Sequence, residues 1–292
     1  MHKPVLLKEI IENLNPQPKE FFIDGTMDGG GLAKAIIEKI KPGGIFLGIE
    51  WDNSLFKKIT KNFSASDDIK IILKNKNYAE IKEILKTEKL PLADGLILDL
   101  GFSNWHIEKS KKGFSFQKDE PLIMVYNTKE NKNSAFEVVN YFPPNKIAEI
   151  LKNFGEEKNA WKIALAIQNA RKSKKIKTTK ELTNIIEKTI PKKTKIHPAT
   201  KTFQALRIYV NQELENLEKI LKTIPVIMKK GGRVGIISFH SLEDKLVKKY
   251  FKNLVKEGKA VLLNKKVIRP TKEEIKNNPK SRSAKLRIIK II

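Results

Sequence analysis

Short, nearly unbroken apolar runs alternate along this chain with stretches whose apolar residues recur at helical spacing. The runs predict strands at 20–26, 43–50, 69–75, 94–101, 232–239, 260–266 and 285–291. The first five lack the in–out alternation of a half-exposed sheet, as expected of parallel strands covered on both faces. Helical patterns lie between them at 31–41, 53–63, 78–88 and 240–256. Strand and helix in alternation indicate an α/β protein with a doubly wound sheet. A polar loop without a clear helix joins the last two strands, which predicts an antiparallel hairpin at one edge.

About 130 residues separate the fourth strand from the fifth without a convincing strand among them. A βα connection needs only a few loop residues and one helix. The segment shows helical patterns at 133–141, 145–153, 158–172 and 179–190, and Thr178-Thr179-Lys180-Glu181 opens the last of these as a capping box. One long amphipathic helix is predicted over 198–224. The simplest organisation is a helical domain at 107–200 inserted into a discontinuous sheet domain made of 1–106 and 201–292.

The turn after the first strand reads Asp24-Gly25-Thr26-Met27-Asp28-Gly29-Gly30-Gly31-Leu32. It has neither the spacing of a dinucleotide-binding turn nor a phosphate-binding lysine. Its glycines allow a ligand close to the backbone. Asp24 and Asp28 would repel a pyrophosphate but suit an ammonium or a sulfonium. Glu50, at the end of the second strand, is placed to accept hydrogen bonds from ribose hydroxyls. S-adenosylmethionine carries all three groups, and a ligand-free strand-to-helix turn is the alternative. The fourth strand ends Asp99-Leu100-Gly101-Phe102-Ser103-Asn104-Trp105-His106, where open α/β sheets bind ligands. Asp99, Ser103 and Asn104 there are candidates to orient an amino group, with an ordinary helix cap at Ser103 or Asn104 as the alternative.

Composition narrows the partners. The net charge of +25 over 292 residues exceeds what solubility needs and points to a nucleic acid, although lysine richness also follows from biased composition. The basic run Lys172–Lys177 falls in the inserted domain, where RNA is expected to dock. Only six of the 58 basic residues are arginine, so each arginine is expected to mark a place that needs its planar fork. The absence of cysteine removes disulfides and thiolate metal sites, and four scattered histidines offer no metal-ligand spacing, so no metal is expected. No signal peptide and no run of eighteen apolar residues is found, which predicts a cytoplasmic protein without a membrane span.

Several longer segments carry a resemblance. His2-Lys3-Pro4-Val5-Leu6-Leu7, the Asp24-Gly25-Thr26 turn, Asp99-Leu100-Gly101, Lys112-Gly113-Phe114-Ser115-Phe116 and the stretches 197–214, 231–248 and 278–287 occur in the order found in one bacterial family. The chain resembles the S-adenosylmethionine-dependent methyltransferases that modify N4 of a cytosine in small-subunit (16S) ribosomal RNA (the RsmH/MraW family). The resemblance implies a Rossmann-like class I methyltransferase sheet of about seven strands with an inserted all-helical, substrate-recognising domain. It implies S-adenosyl-L-methionine as cofactor, held by Asp24, Gly29, Gly30, Gly31, Leu32, Glu50, Tyr78, Asp99 and His106. Catalysis would involve Asp99, Ser103, Asn104 and His240, the last either positioning the target base or only capping a helix. The expected partner is small-subunit ribosomal RNA or the assembling small subunit, and a homodimer is left open. The family usually carries glycine at Asp28, His-Ser at Leu32-Ala33, and Pro-Leu-Asp-Met-Arg-Met-Asp in place of Pro121–Asn127. These departures keep open a weakened or retargeted paralogue acting as an RNA-binding or assembly factor. They also suggest that Tyr126 and Asn127 supply new contacts to the base.

Overall fold

Seven strands form one sheet: β1 (Phe21–Asp24), β2 (Gly44–Ile49), β3 (Ile69–Lys74), β4 (Ala93–Asp99), β5 (Met228–Ser238), β6 (Ala260–Leu262) and β7 (Lys285–Ile291). Their order is β3-β2-β1-β4-β5-β7-β6. β1 to β5 run parallel, and β7 inserts antiparallel between β5 and β6. The computed structural model describes residues 4–63, 67–128, 131, 133–190 and 197–292.

The helices are α1 (Leu7–Leu14), α2 (Gly31–Ile40), α3 (Asn53–Ile59), α4 (Ile81–Thr87), α5 (Asn104–Glu108), α6 (Ala135–Tyr141) and α7 (Pro144–Gly155). They continue with α8 (Ala160–Ser173), α9 (Thr179–Thr189), α10 (Ala199–Asn211), α11 (Glu213–Ile227), α12 (Ser241–Lys256) and α13 (Lys272–Asn277). Two compact units result, Met1–Phe102 with Leu214–Ile292 and Ser103–Glu213. The divisions fall at 102/103 and 213/214, where the sequence suggested 106/107 and 200/201.

In the sheet unit, alternate residues of each strand go to opposite faces. Phe21 and Ile23 join Leu96, Leu98 and Ile236 in a core closed by Ile84 of α4, Leu221 and Ile224 of α11, and Phe251 of α12. Phe22 and Asp24 alternate to the face where Leu14 of α1 comes close to Gly235 of β5. Each face is thus apolar and covered, which is why the strands read as continuous hydrophobic runs. Sheet packing is close enough that a methyl on Gly95 would stand 2.0 Å from the Phe22 ring of the adjacent strand.

The helical unit has its own core, built from Val138, Ile147, Leu151, Ile163, Ile167, Leu182, Ile186 and Phe203 together with Leu122, Met124 and Val125. The predicted capping box is present. Thr178 Oγ1 accepts from Glu181 N at 3.3 Å, and Glu181 Oε2 accepts from Thr178 N at 3.2 Å.

Two expectations need correction. The single helix over 198–224 is two, because Gln212 takes a left-handed conformation at φ 50° and its N–H returns to Tyr209 O. The hydrophobic period crosses this break undisturbed, so no local signal marks it. The polar loop before β7 holds α13 and a short 3₁₀ turn at Pro279–Ser283. The N-terminal stretch forms α1, whose Ile10 and Leu14 are buried.

Four of the six arginines work as structural forks. Arg233 donates to Leu14 O at 2.7 Å and Glu20 Oε2 at 2.6 Å, joining α1 to β1. Arg287 Nε and Lys285 Nζ both hold Asp244, at 2.8 and 3.1 Å, tying β7 to α12. In the helical unit Arg207 pairs with Glu213 at 3.0 Å, and Arg171 donates to Val139 O and Phe142 O, both at 2.7 Å. Lys285 and Arg287 are thus both committed to Asp244 and join β7 to α12.

Candidate active site

The strand order reverses between β1 and β4, so the carboxyl ends of these two strands border the crevice where such sheets receive ligands. The glycine turn after β1 hangs across it on backbone bonds. Gly25 N donates to Ile97 O of β4 at 3.0 Å, and Met27 N donates to Ile49 O of β2 at 2.9 Å. Thr26 Oγ1 accepts from Asp99 N at 2.7 Å, which locks the turn to the end of β4. Gly30 then caps α2 at φ 76°, a conformation that favours glycine, and its N–H closes on Met27 O at 2.8 Å. Pro4, Thr26, Met27, Asp28, Gly29, Gly31, Leu32 and Asp99 line a narrow cleft beside this turn.

Carboxylates converge on this turn. Asp24 is fully buried; its Oδ1 accepts from Thr26 N at 3.0 Å, and its Oδ2 is sealed from solvent with no hydrogen-bond partner. Asp99 Oδ1 is likewise sealed and without a partner. Glu50 Oε1 accepts from Asp52 N at 2.9 Å, and its Oε2 accepts from Asp28 N at 3.2 Å. Each Glu50 oxygen keeps one further lone pair, so two hydroxyls can still be received. Burial pushes Asp24 up to about 7, with Asp28 adding to the effect against the Thr26 hydrogen bond. Burial likewise takes Glu50 to about 8, with Asp28 and Asp52 adding their charge. Burial first, then Asp28, Asp24 and Glu243, hold Asp99 well above the usual carboxylate range.

Buried carboxyls with raised pKa values and unused acceptor oxygens are a site short of positive charge. This shortage lies inside a chain of net charge +25. An ammonium or sulfonium relieves it, and the glycine turn leaves backbone room for the ligand, so these residues fit S-adenosylmethionine. Leu32, buried at the start of α2, contributes an apolar wall. Tyr78, the expected adenine contact, opens a 3₁₀ turn after β3 whose capping box is formed by Asn77 and Glu80.

The remaining candidates divide between the units. His240 caps α12: its Nδ1 accepts from Glu243 N at 3.4 Å and its Nε2 stands 3.1 Å from Glu243 Oε1. Glu243 Oε2 returns to Phe239 N at 2.8 Å. Both ring nitrogens thus face Glu243, as the capping alternative expects. In the helical unit Ser103 caps α5, its Oγ accepting from Trp105 N at 3.0 Å while His106 Nδ1 accepts from Ser103 N at 3.1 Å. The Asn104 side chain, like His2 and Lys3 of the N-terminal motif, lies outside the described residues. His106 is buried with its ring 4.9 Å from those of Phe114 and Tyr126.

The departures at 121–127 have a physical account. Leu122, Met124 and Val125 belong to the helical core. Tyr126 stacks on Phe114 at 5.2 Å, its N–H donates to Asn211 Oδ1 at 2.9 Å and its hydroxyl to Glu213 Oε1 at 3.3 Å. Asn211 also donates to Met124 O at 2.7 Å. Leu122, Met124 and Val125 are packing residues, and the Tyr126 ring expected to receive a base stacks on Phe114. Thr26 and Pro4 were not singled out from sequence as site residues. The Asp-Gly-Thr and His-Lys-Pro motifs were the signal that held them.

Fold and site together define a class I S-adenosylmethionine-dependent methyltransferase. The model of the MraW methylase family matches residues 1–292, and the chain belongs to that family. It is 40% identical over 289 residues to "Ribosomal RNA small subunit methyltransferase H" of Coprothermobacter proteolyticus, covering 99% of this chain and 95% of that one. The protein of the same name from Elusimicrobium minutum is 42% identical over 98% of this chain and 97% of its own. A solved rRNA methylase from Streptococcus thermophilus superposes at TM-score 0.45 and 9% identity over all of this chain and 99% of that one, so the fold rests on the sheet order instead. No helix among the described residues is long and apolar enough to cross a membrane.

Proposed function

We propose that this methyltransferase acts in the cytoplasm on small-subunit ribosomal RNA and methylates the exocyclic N4 of a cytidine. The substrate follows from what the relatives' names say they act on and from the motifs that carry the family resemblance. The observation that carries the cofactor side is the set of buried carboxyls Asp24, Glu50 and Asp99 around a glycine turn in a strongly basic chain. S-adenosylmethionine supplies the methyl group when bound. Asp24 would meet its cationic part and Glu50 would accept from its ribose hydroxyls.

The amine of cytosine is a poor nucleophile because its lone pair is delocalised into the ring. Its methylation needs tight positioning and an acceptor for the proton that N4 sheds as the new N–C bond forms. Asp99 is that acceptor. Its Oδ1 is without a partner, and its raised pKa makes the ionised form a stronger base than an ordinary aspartate. Ser103 and the Asn104 backbone, which follow the carboxyl end of β4, are assigned to orient the amine from that place in the chain. His240 shapes the end of β5 through its cap on α12, and the helical unit supplies the surface that receives RNA.

The test is mass spectrometry of nucleosides from the ribosomal RNA of a bacterial host lacking its own N4-cytidine activity. Expression of this chain should restore N4-methylated cytidine, and Asp99→Asn should not. Unchanged nucleosides in the presence of the folded wild-type protein would refute the assignment.

A further inference from the structure

Tyr141 ends α6 with 57% of its surface exposed, a degree of exposure that a tyrosine in a helical bundle does not need for packing. Its position is nonetheless firmly held from both sides. The residue before it, Asn140, donates to Ile176 O at 2.8 Å and accepts from Ile176 N at 2.9 Å. Arg171 of α8 donates to the carbonyls of Val139 and Phe142, on either side of Tyr141. The reciprocal Asn140–Ile176 pair brings the residue next to Ile176, the exposed Lys175, alongside Tyr141. Lys175 Nζ donates to the Tyr141 hydroxyl at 2.5 Å and lies 4.7 Å from the ring centroid. At those two distances the ammonium sits at the hydroxyl end of the ring rather than over the middle of its face. Phe136 meets the ring edge-on, at 77° and 6.1 Å.

Charge identifies the kind of partner. Residues 171–181 carry six basic side chains, Arg171, Lys172, Lys174, Lys175, Lys177 and Lys180, against the single carboxylate Glu181. That carboxylate is already used by Lys174 and by the α9 capping box. An aromatic ring held rigid at the surface within a run of lysines is the combination that binds single-stranded nucleic acid. The ring stacks one base and the ammonium groups follow the backbone.

We propose that Tyr141, with Lys175 at its edge and Lys172 on the adjoining end of α8, is a docking site for one unpaired nucleotide of the RNA substrate. It is carried wholly by the helical unit. The inference rests on the RNA reading above and adds the residues and the stacking contact by which RNA is held. Lys175 neutralises a phosphate, and Tyr141 supplies the face for the base.

The experiment measures binding of a fluorescein-labelled single-stranded RNA of about 12 nucleotides to the full chain by anisotropy, at several salt concentrations. Tyr141→Ala should weaken binding by about tenfold or more with the salt dependence unchanged, and Tyr141→Trp should keep it. Lys175→Met should reduce the slope of log K against log salt by about 0.7, the value for one phosphate contact on a single strand. Equal melting temperatures of wild type and variants establish that the losses are local. If the wild type binds RNA and Tyr141→Ala binds as tightly, the stacking site is wrong while the RNA reading stands. If the wild type binds no RNA, both fall. Equal binding of an abasic strand, or displacement of the RNA by polyglutamate at equal charge concentration, would leave only a general polyanion surface and overturn the proposal.

Discussion

Cofactor binding is expected to release protons. In the free protein Asp24 titrates near 7 and Glu50 near 8, and Asp99 is also raised. At pH 7 Asp24 is then about half protonated and Glu50 about nine-tenths. An ammonium and a sulfonium brought against Asp24 and Asp99, and ribose hydroxyls donating to Glu50, favour the ionised forms, so about one to two protons leave on binding. Affinity should gain roughly tenfold per pH unit for each proton released, below the pKa values of the free site. The same shifts govern stability. A carboxyl whose pKa is higher in the fold than in the unfolded chain favours the fold at low pH, and that advantage is lost as pH rises through the folded value. For Asp24, moving from 3.8 to about 7, the loss is about 4 kcal/mol between about pH 4 and pH 8, and bound cofactor offsets it. The demethylated product keeps its ammonium but has a neutral sulfur, so it should release fewer protons. Calorimetry at pH 7 in phosphate and in Tris reads the number directly, because the buffers take up protons with different enthalpies. Asp24→Asn should remove its share. Identical enthalpies in the two buffers, with a dissociation constant flat from about pH 6 to pH 8, would refute the reasoning.

Glu50→Ala should weaken S-adenosylmethionine binding by about 1–3 kcal/mol, since the ribose hydroxyls lose a charged acceptor; calorimetry showing full affinity would move the ribose elsewhere. Gly95→Ala places a methyl 2.0 Å from the buried Phe22 ring and should cost about 1–3 kcal/mol of stability, seen as a lower urea midpoint with an unchanged slope. Arg207→Ala removes the cation paired with Glu213, whose side chain is only 12% exposed and keeps the Tyr126 hydroxyl, and should destabilise the protein by about 3–5 kcal/mol. Arg207→Lys should recover only part of this, because one ammonium cannot reproduce the guanidinium fork.

What could be read from sequence follows from how locally each feature is encoded. Covered strands announce themselves in four to eight consecutive residues, and the five parallel strands were legible for that reason. The capping box at Thr178 was legible because four residues contain it. The break at Gln212 was not, since a left-handed residue leaves the apolar period on either side intact. The acidic character of the cofactor turn and its fit to a cationic ligand were visible in Asp24 and Asp28, but the depth of burial was not. Only the fold brings Asp99 and Glu50 against that turn and buries them together, and only burial lifts their pKa values. The arginines carry the argument furthest. Their scarcity predicted a need for the planar fork, and Arg171, Arg207, Arg233 and Arg287 do hold carbonyls or carboxylates within the protein. The expectation that excess positive charge serves a nucleic acid must therefore rest on the lysines. Of these, Lys285 is committed to Asp244 and Lys174 to Glu181, whereas Lys175 is held at the edge of an exposed aromatic ring. Net charge can suggest a polyanion; deciding where it docks requires knowing which cations the fold has already used.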